Sequence, residues 1–344
     1  MSAGASLMAQ EASEAPQAVA RLMDRESRSF ADLGARLRDL GPPVVATCAR
    51  GSSDHAAGFL KYAIEIVLGV PVASIGPSVA TIYDAPLKLA GTAVVTISQS
   101  GQSPDLIALQ ASAKASGALT LALVNITESP VAAGADIVIP LHAGEERSIA
   151  ATKSFVAATS AALAIVAAWS GDAALSSALA GLPDALAHAL ACDWSAARAP
   201  IAAAASLYTI GRGPAFSIAQ EAALKCKEVA ALHAEAFSSA EVMHGPLRLV
   251  EPRFPVLAFV PDDAAAPAAR AGLAHMEASG AQIFAASARS DLPGTRLPVV
   301  ATGHGMTDAV AAILAFYCFI EAVSRQRGFD PDRPAHLSKI TETF

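Results

Sequence analysis

Three sets of residues in this 344-residue chain have the types and spacing for chemistry. The first is a pair of Ser/Gly loops, Arg50-Gly51-Ser52-Ser53-Asp54 and Ser98-Gln99-Ser100-Gly101-Gln102-Ser103-Pro104. Each follows a short apolar run and opens a helical pattern. A helix N-terminus presents free N–H groups and partial positive charge, and so favours phosphate. Serine adds small hydroxyl donors, and glycine lets the backbone come close to a ligand. Ser103 before Pro104 is also an N-cap and N1 signature. Capping accounts for Ser103 but not for the other hydroxyls and the amide of Gln99 beside it.

The second set is Glu221, Lys225 and Glu228, spaced i, i+4, i+7 on one helix face. On an isolated helix this is a solvated ion-pair stripe. In a cleft, a Glu beside a Lys is a proton-transfer pair. This helix follows a Gly loop, which aims its start at the ligand end of a sheet. The third set is two single residues. His244, before Gly245-Pro246, belongs in a turn rather than on an apolar face, and Lys339 by itself reads as a tail lysine. His233 reads as structural.

The elements that must position these groups alternate. Strands are expected at 44–48, 71–75, 93–97, 119–124 and 137–140, with helices at 8–40, 54–68 and 104–116. The scheme recurs with strands at 207–210, 256–260, 282–286 and 297–300, a helix through Glu221 and another at 266–279. Alternating strands and helices imply a parallel sheet covered on both faces. Arg212 in YTIGRGPAFSIA lies 162 positions after Arg50 in ATCARGSSDHAA, so two copies of one α/β unit are the economical reading. Five regions follow: an N-terminal helical segment over 1–34, a first unit over 35–175, a helical linker over 176–200, a second unit over 201–330 and a tail over 331–344. In a doubly wound sheet both serine loops leave the carboxyl ends of strands, where ligands bind. The tail from Phe329 should lie over the surface.

Bulk properties narrow the classes. Apolar residues make up 53% and aromatics 5%, which suits helices tightly packed through Ala. A net charge of −7 without a basic run argues against a nucleic-acid partner. The four cysteines are scattered without a CxxC pair and read as buried reduced thiols. No His/Cys/Asp/Glu spacing suggests a metal, and no cofactor motif is present. The N-terminus lacks the basic and apolar regions of a signal peptide. The best membrane candidate, 155–169, is short and Ala-rich and reads as a buried helix. A cytoplasmic protein without a membrane partner is expected.

Taken together, Ser-Gln-Ser-Gly, Ala-Leu-Lys-x-Lys-Glu and His-Gly-Pro-Leu, in this order, resemble the isomerase half of glutamine:fructose-6-phosphate aminotransferase (glucosamine-6-phosphate synthase). The likeness runs from about Met8 to Phe344. It implies two tandem sugar isomerase (SIS) domains, each a doubly wound, flavodoxin-like parallel sheet flanked by helices, in a homodimer with shared active sites. By that resemblance Ser52, Ser53, Ser98, Gln99, Ser100 and Ser103 hold the sugar phosphate. Glu228 matches the base that moves a proton between C1 and C2, and Lys225 its neighbour on the same helix. His244 matches the ring-opening histidine supplied by the other subunit. Lys339 matches the lysine that forms a Schiff base with a ketose. Ile149 and Ala151 fall at the sugar.

Two departures shape the expected reaction. The chain begins at the isomerase half, without the glutaminase that would supply ammonia. Ala151 stands where the synthase has a serine, and Gln102 where it has a Glu. The expected activity is therefore of deaminase type, from glucosamine 6-phosphate to fructose 6-phosphate and ammonia. The alternatives are a fructosamine-6-phosphate deglycase, an ammonia-dependent synthase, a galactosamine-type substrate, or a sugar-phosphate sensor.

Overall fold

The computed structural model describes residues 5–339. The chain opens with α1 (Leu7–Ser13) and α2 (Ala15–Leu40), where one helix over 8–40 is expected. Glu14 ends α1 and Pro16 enters the first turn of α2. A proline is tolerated there because that N–H has no intrahelical partner.

Beyond this the chain forms two compact units. One comprises Gln17–Glu146, Lys153–Ala180 and residues 338–339. It runs β1 (Val45–Cys48), α3 (Ser52–Leu68), β2 (Val72–Ser74), α4 (Ser78–Thr81), β3 (Ala93–Ser98), α5 (Pro104–Ala115), β4 (Leu119–Val124), α6 (Pro130–Gly134) and β5 (Ile137–Pro140). After the excursion through residues 147–152 come α7 (Lys153–Ser170) and α8 (Ala173–Ala180). The five strands are parallel in the order β2-β1-β3-β4-β5. Strands β1 and β3 are buried at every residue, which is why they read as nearly continuous apolar runs rather than alternating ones. Helix α7 is buried on nearly all faces and carries the segment 155–169 into the interior.

The other unit comprises Arg147–Thr152, Gly181–Leu337 and residues 5–16. Its elements are α9 (Leu182–Ala189), α10 (Ser195–Ala203), β6 (Ser206–Gly211), α11 (Pro214–Ala230), β7 (His233–Ser238), β8 (Pro255–Phe259), α12 (Ala266–Ala278), β9 (Gln282–Ser287), β10 (Thr295–Pro298) and α13 (Gly305–Gln326). The order β10-β9-β8-β6-β7 is the same topology read from the other edge, again parallel. Helices α7 and α13 are long and apolar enough to cross a membrane, yet 89% and 83% of their apolar windows are buried in the protein.

Two strand and cysteine expectations change. Strand β7 is an extra strand at the sheet edge, and His233 lies on it with its Nδ1 3.0 Å from the hydroxyl of Ser206. Cys48 and Cys226 are buried as expected, but Cys192 and Cys318 are only half-buried. Burial pushes the Cys48 thiol up to about 12, with Asp105 adding to it, and burial does the same for Cys226. Neither is a thiolate at neutral pH.

Candidate active site

The order β2-β1-β3-β4-β5 places a switch point between β1 and β3, where the chain leaves in opposite directions along the sheet. Both serine loops emerge there, at the carboxyl ends of paired strands. Gly51 sits at the N-cap of α3, and Ser52 and Ser53 are its first residues. In the second loop Ser98 Oγ accepts from the Gly101 N–H at 3.0 Å, and Ser100 Oγ accepts from Gln102 N–H at 3.3 Å. The carbonyl of Gln99 is held by the N–H groups of Asn125 and Ile126. Ser98 and Ser100 are thus buried and built into the turn. Ser103 occupies the N-cap of α5 with Pro104 at N1, but its side chain makes no capping bond.

Gly101 is obligatory here. Its φ is +64°, and a Cβ would lie 2.2 Å from Ser129 Oγ. The two loops are tied by Arg50, whose Nε donates to the buried Asp105 at 2.9 Å. Asp54 has its carboxyl raised by burial, partly offset by His55 and Arg50. Arg50 therefore offsets the negative charge of α5's first turn beside a loop that would receive an anion.

Lys339 lies in the same unit. Its Nζ is 3.0 Å from Oε2 of Glu146, whose side chain is fully buried. Glu146 also accepts from the N–H and hydroxyl of Ser154, at the start of α7.

In the other unit, Lys225 and Glu221 are completely buried. The Lys225 ammonium lies 3.3 Å from Glu221 Oε1 and donates to Glu228 Oε2. Burial alone would lower the Lys225 pKa, but the two carboxylates outweigh it and raise it. The solvated-stripe alternative is thereby excluded for Glu221 and Lys225. The position differs from expectation. The start of α11 does face the ligand end of its own sheet, but Glu228 is fourteen residues further on, about 21 Å along the axis at ~1.5 Å per residue. Glu228 instead opens, with its side chain 22% exposed, on a cavity of about 510 Å³. Helix α11 supplies Lys227 and Glu228 to the wall, and the tail supplies Asp330, Arg333 and His336. The tail thus lies over the surface but as one wall of this cavity. It is anchored where Asp332 accepts the N–H groups of Leu7 and Met8 at the start of α1.

His244 ends the 3-10 turn Glu241–His244, which is pinned to the core by the buried Val242, and is itself exposed. Ile149 and Ala151 lie in a loop shaped by Glu11 of α1, a buried carboxylate accepting the N–H groups of Arg147 and Ser148. The structure therefore groups the serine loops, groups Glu221, Lys225 and Glu228, and pairs Lys339 with Glu146. The serine loops and the Glu228 group stand on different units. Sequence reasoning missed Glu11 and Glu146, whose partners are remote in sequence.

A SIS domain profile matches residues 44–168 and 201–317. The chain belongs to the SIS-domain family. Its two SIS segments differ where the first carries serines. The loop after β8, equivalent to the one after β3, holds Asp262 and Asp263, and burial raises the Asp263 carboxyl.

The chain is also similar to the glutamine–fructose-6-phosphate aminotransferase [isomerizing] of Aeropyrum pernix, at 31% identity over 96% of this chain and 56% of that protein. The chain spans about half the length of the curated relatives it matches. Among solved structures, a candidate phosphosugar isomerase from Silicibacter pomeroyi DSS-3 is 45% identical, covering 95% of this chain and 100% of its own, with a TM-score of 0.91. Glucosamine-6-phosphate deaminase from Thermotoga maritima shares the fold, with a TM-score of 0.77, 18% identity and coverage of 98% and 100%.

Proposed function

We propose that this protein is an amino-sugar-phosphate isomerase of deaminase type, converting glucosamine 6-phosphate and water to fructose 6-phosphate and ammonia. The observation that carries the reading is Glu228, tied to a buried ammonium and open to a cavity of hexose-phosphate size. The names of the aminotransferase relatives and of the Silicibacter pomeroyi neighbour support an isomerase of sugar phosphates.

In this reading Ser52, Ser53, Ser98, Gln99, Ser100 and Ser103 hold the phosphate. His244 of a second copy assists opening of the sugar ring, so the working unit is a homodimer. Glu228 takes the proton from C2 of the open chain and returns it to C1, leaving an imine at C2. The amine of Lys339 adds at C2 and ammonia leaves; water then adds to the new iminium and releases Lys339 and the ketose. Lys225 stabilises the ionised carboxylate between transfers. Ile149 and Ala151 border the sugar. The setting is the cytoplasm, where sugar phosphates reside, with no nucleic-acid or membrane partner and no cofactor.

A second reading, deglycation of a fructosamine 6-phosphate, is favoured by Ala151, which offers no hydroxyl to the sugar. The test is ammonia and fructose 6-phosphate release by the purified protein, with Glu228→Gln as control. Equal release from glucosamine 6-phosphate, reduced about 10²–10⁴-fold in the control, is expected. Turnover of a fructosamine 6-phosphate instead selects the second reading. Tight binding of both without turnover removes the enzyme reading and leaves a sensor.

A further inference from the structure

The ion-pair cluster of α11 has a member from outside that helix. Tyr317, in α13, is fully buried, and its hydroxyl donates to Glu221 Oε1 at 3.1 Å. Two carboxylates therefore share the ammonium of Lys225, and they differ in environment. The Glu221 side chain is 0% exposed and Glu228 is 22% exposed. A proton entering such a coupled pair settles on the carboxylate whose charge is less well stabilised. Burial alone would make that Glu221, because desolvation penalises the charged form. A hydroxyl donated to a carboxylate opposes this by favouring the ionised form.

We infer that Tyr317 is a positioning residue of the proton-transfer site: its hydroxyl holds the deep Glu221 as a carboxylate against Lys225, so that Glu228, the member open to the cavity, is the one that takes up and releases the proton. The inference rests on the reading of Glu228 as the base. Two carboxylates on one helix face then have separate duties, one fixed and one working, set by their surroundings.

Charged and titratable groups reach this pair from several elements. Helix α11 itself supplies Lys225 and the outward Lys227. Helix α13 supplies Tyr317, and just past its end Arg327 donates to the carbonyl of Ala230. The tail brings Asp330, Arg333 and His336 to the cavity wall beside Glu228. The sheet face under α11 is marked by Thr209, whose hydroxyl donates to the Ala219 carbonyl. Its neighbours on that face, Leu207, Ala234 and Leu257, carry no ionisable group.

Tyr317→Phe removes one oxygen and keeps the ring. Glutamate-¹³C-carboxyl NMR of the full chain, with Glu221→Gln and Glu228→Gln assigning the two signals, reads the order of protonation directly. In the wild type Glu228 takes the first proton as pH falls. In Tyr317→Phe the order inverts. Kinetically, kcat for ammonia release falls about tenfold with KM held within about twofold. The acid limb of the kcat profile moves to lower pH, because the first proton now settles on Glu221. Glu221→Gln, which removes the competing carboxylate, moves that limb the same way. Should Tyr317→Phe fail to fold, Glu221→Gln carries the test alone. A wild type in which Glu221 protonates first, an unchanged order in Tyr317→Phe, or an unmoved limb in Glu221→Gln overturns the inference. Absence of turnover in the wild type instead removes the base reading, and the NMR order then judges Tyr317 by itself.

Discussion

The amine of Lys339 meets Oε2 of Glu146 across 193 positions of sequence, at 3.0 Å. Glu146 is fully buried and also accepts two bonds from Ser154, so one carboxylate both starts α7 and fixes Lys339. Glu146→Ala leaves the Lys339 ammonium and the Ser154 N–H without that acceptor. It should lower unfolding free energy by about 3 kcal/mol. Glu146→Gln keeps an acceptor for Ser154 but removes the charge that orients the lysine. Borohydride trapping of fructose 6-phosphate on Lys339, read by peptide mass, should drop at least ~10-fold in Glu146→Gln. Undiminished trapping there would show that Glu146 does not place the amine.

Lys225 gives a pH prediction with a definite sign. Its folded pKa is raised above the ordinary 10.5 by Glu221 and Glu228, against the opposing effect of burial. The stabilisation is therefore complete below pH 10.5 and is lost only as pH climbs from there through the folded value. Denaturant midpoints should be insensitive to Lys225 between pH 6 and 9. Lys225→Met strands two carboxylates around an apolar chain and should cost about 3–5 kcal/mol at pH 7. The deficit should shrink toward acid pH as the carboxylates protonate. A deficit that grows on acidification would contradict the ion-pair account.

Gly101 tests the phosphate loop. A Cβ there would lie 2.2 Å from Ser129 Oγ, inside van der Waals contact, at a φ of +64°. Gly101→Ala must displace the loop and should cost about 1–3 kcal/mol of stability. It should weaken glucosamine 6-phosphate binding more than tenfold by calorimetry, since buried donors are then misplaced. Ser98→Ala with Ser100→Ala should weaken the same binding while keeping the fold. Full affinity in both variants would move the phosphate elsewhere.

The parts of this architecture legible in the sequence are those written locally. Strands such as Ala93–Ser98 are nearly continuous apolar runs punctuated by Gly and Ser, and they announce a parallel sheet with ligand loops at its end. Strand β7 escaped notice because it lies at an edge, exposes His233 and Glu235, and follows α11 without a Gly or Pro between them. Glu11, Glu146 and Tyr317 escaped for another reason. Their partners lie 136, 193 and 96 positions away, and no spacing rule reaches that far. The three-residue stripe on α11 was legible, but its depth was not: helix periodicity places residues on a face without saying how far along the helix the cleft lies.

The exposure of His244 makes the assembly itself testable. If His244 serves the site of a second copy, then Glu228→Gln and His244→Ala each kill both sites of their own homodimer, for different reasons. In a hybrid dimer one site inherits both lesions and the other inherits neither. Random reassortment makes half of the dimers hybrids, each with one intact site, so the mixture should recover roughly a quarter of wild-type activity. The measurement is ammonia release after the two purified variants are mixed under conditions that exchange subunits, with mass photometry confirming dimers. Recovery near that fraction would assign His244 to the neighbouring copy. A mixture as inactive as its components, despite verified exchange, would place His244 in the same chain as Glu228 or outside the site.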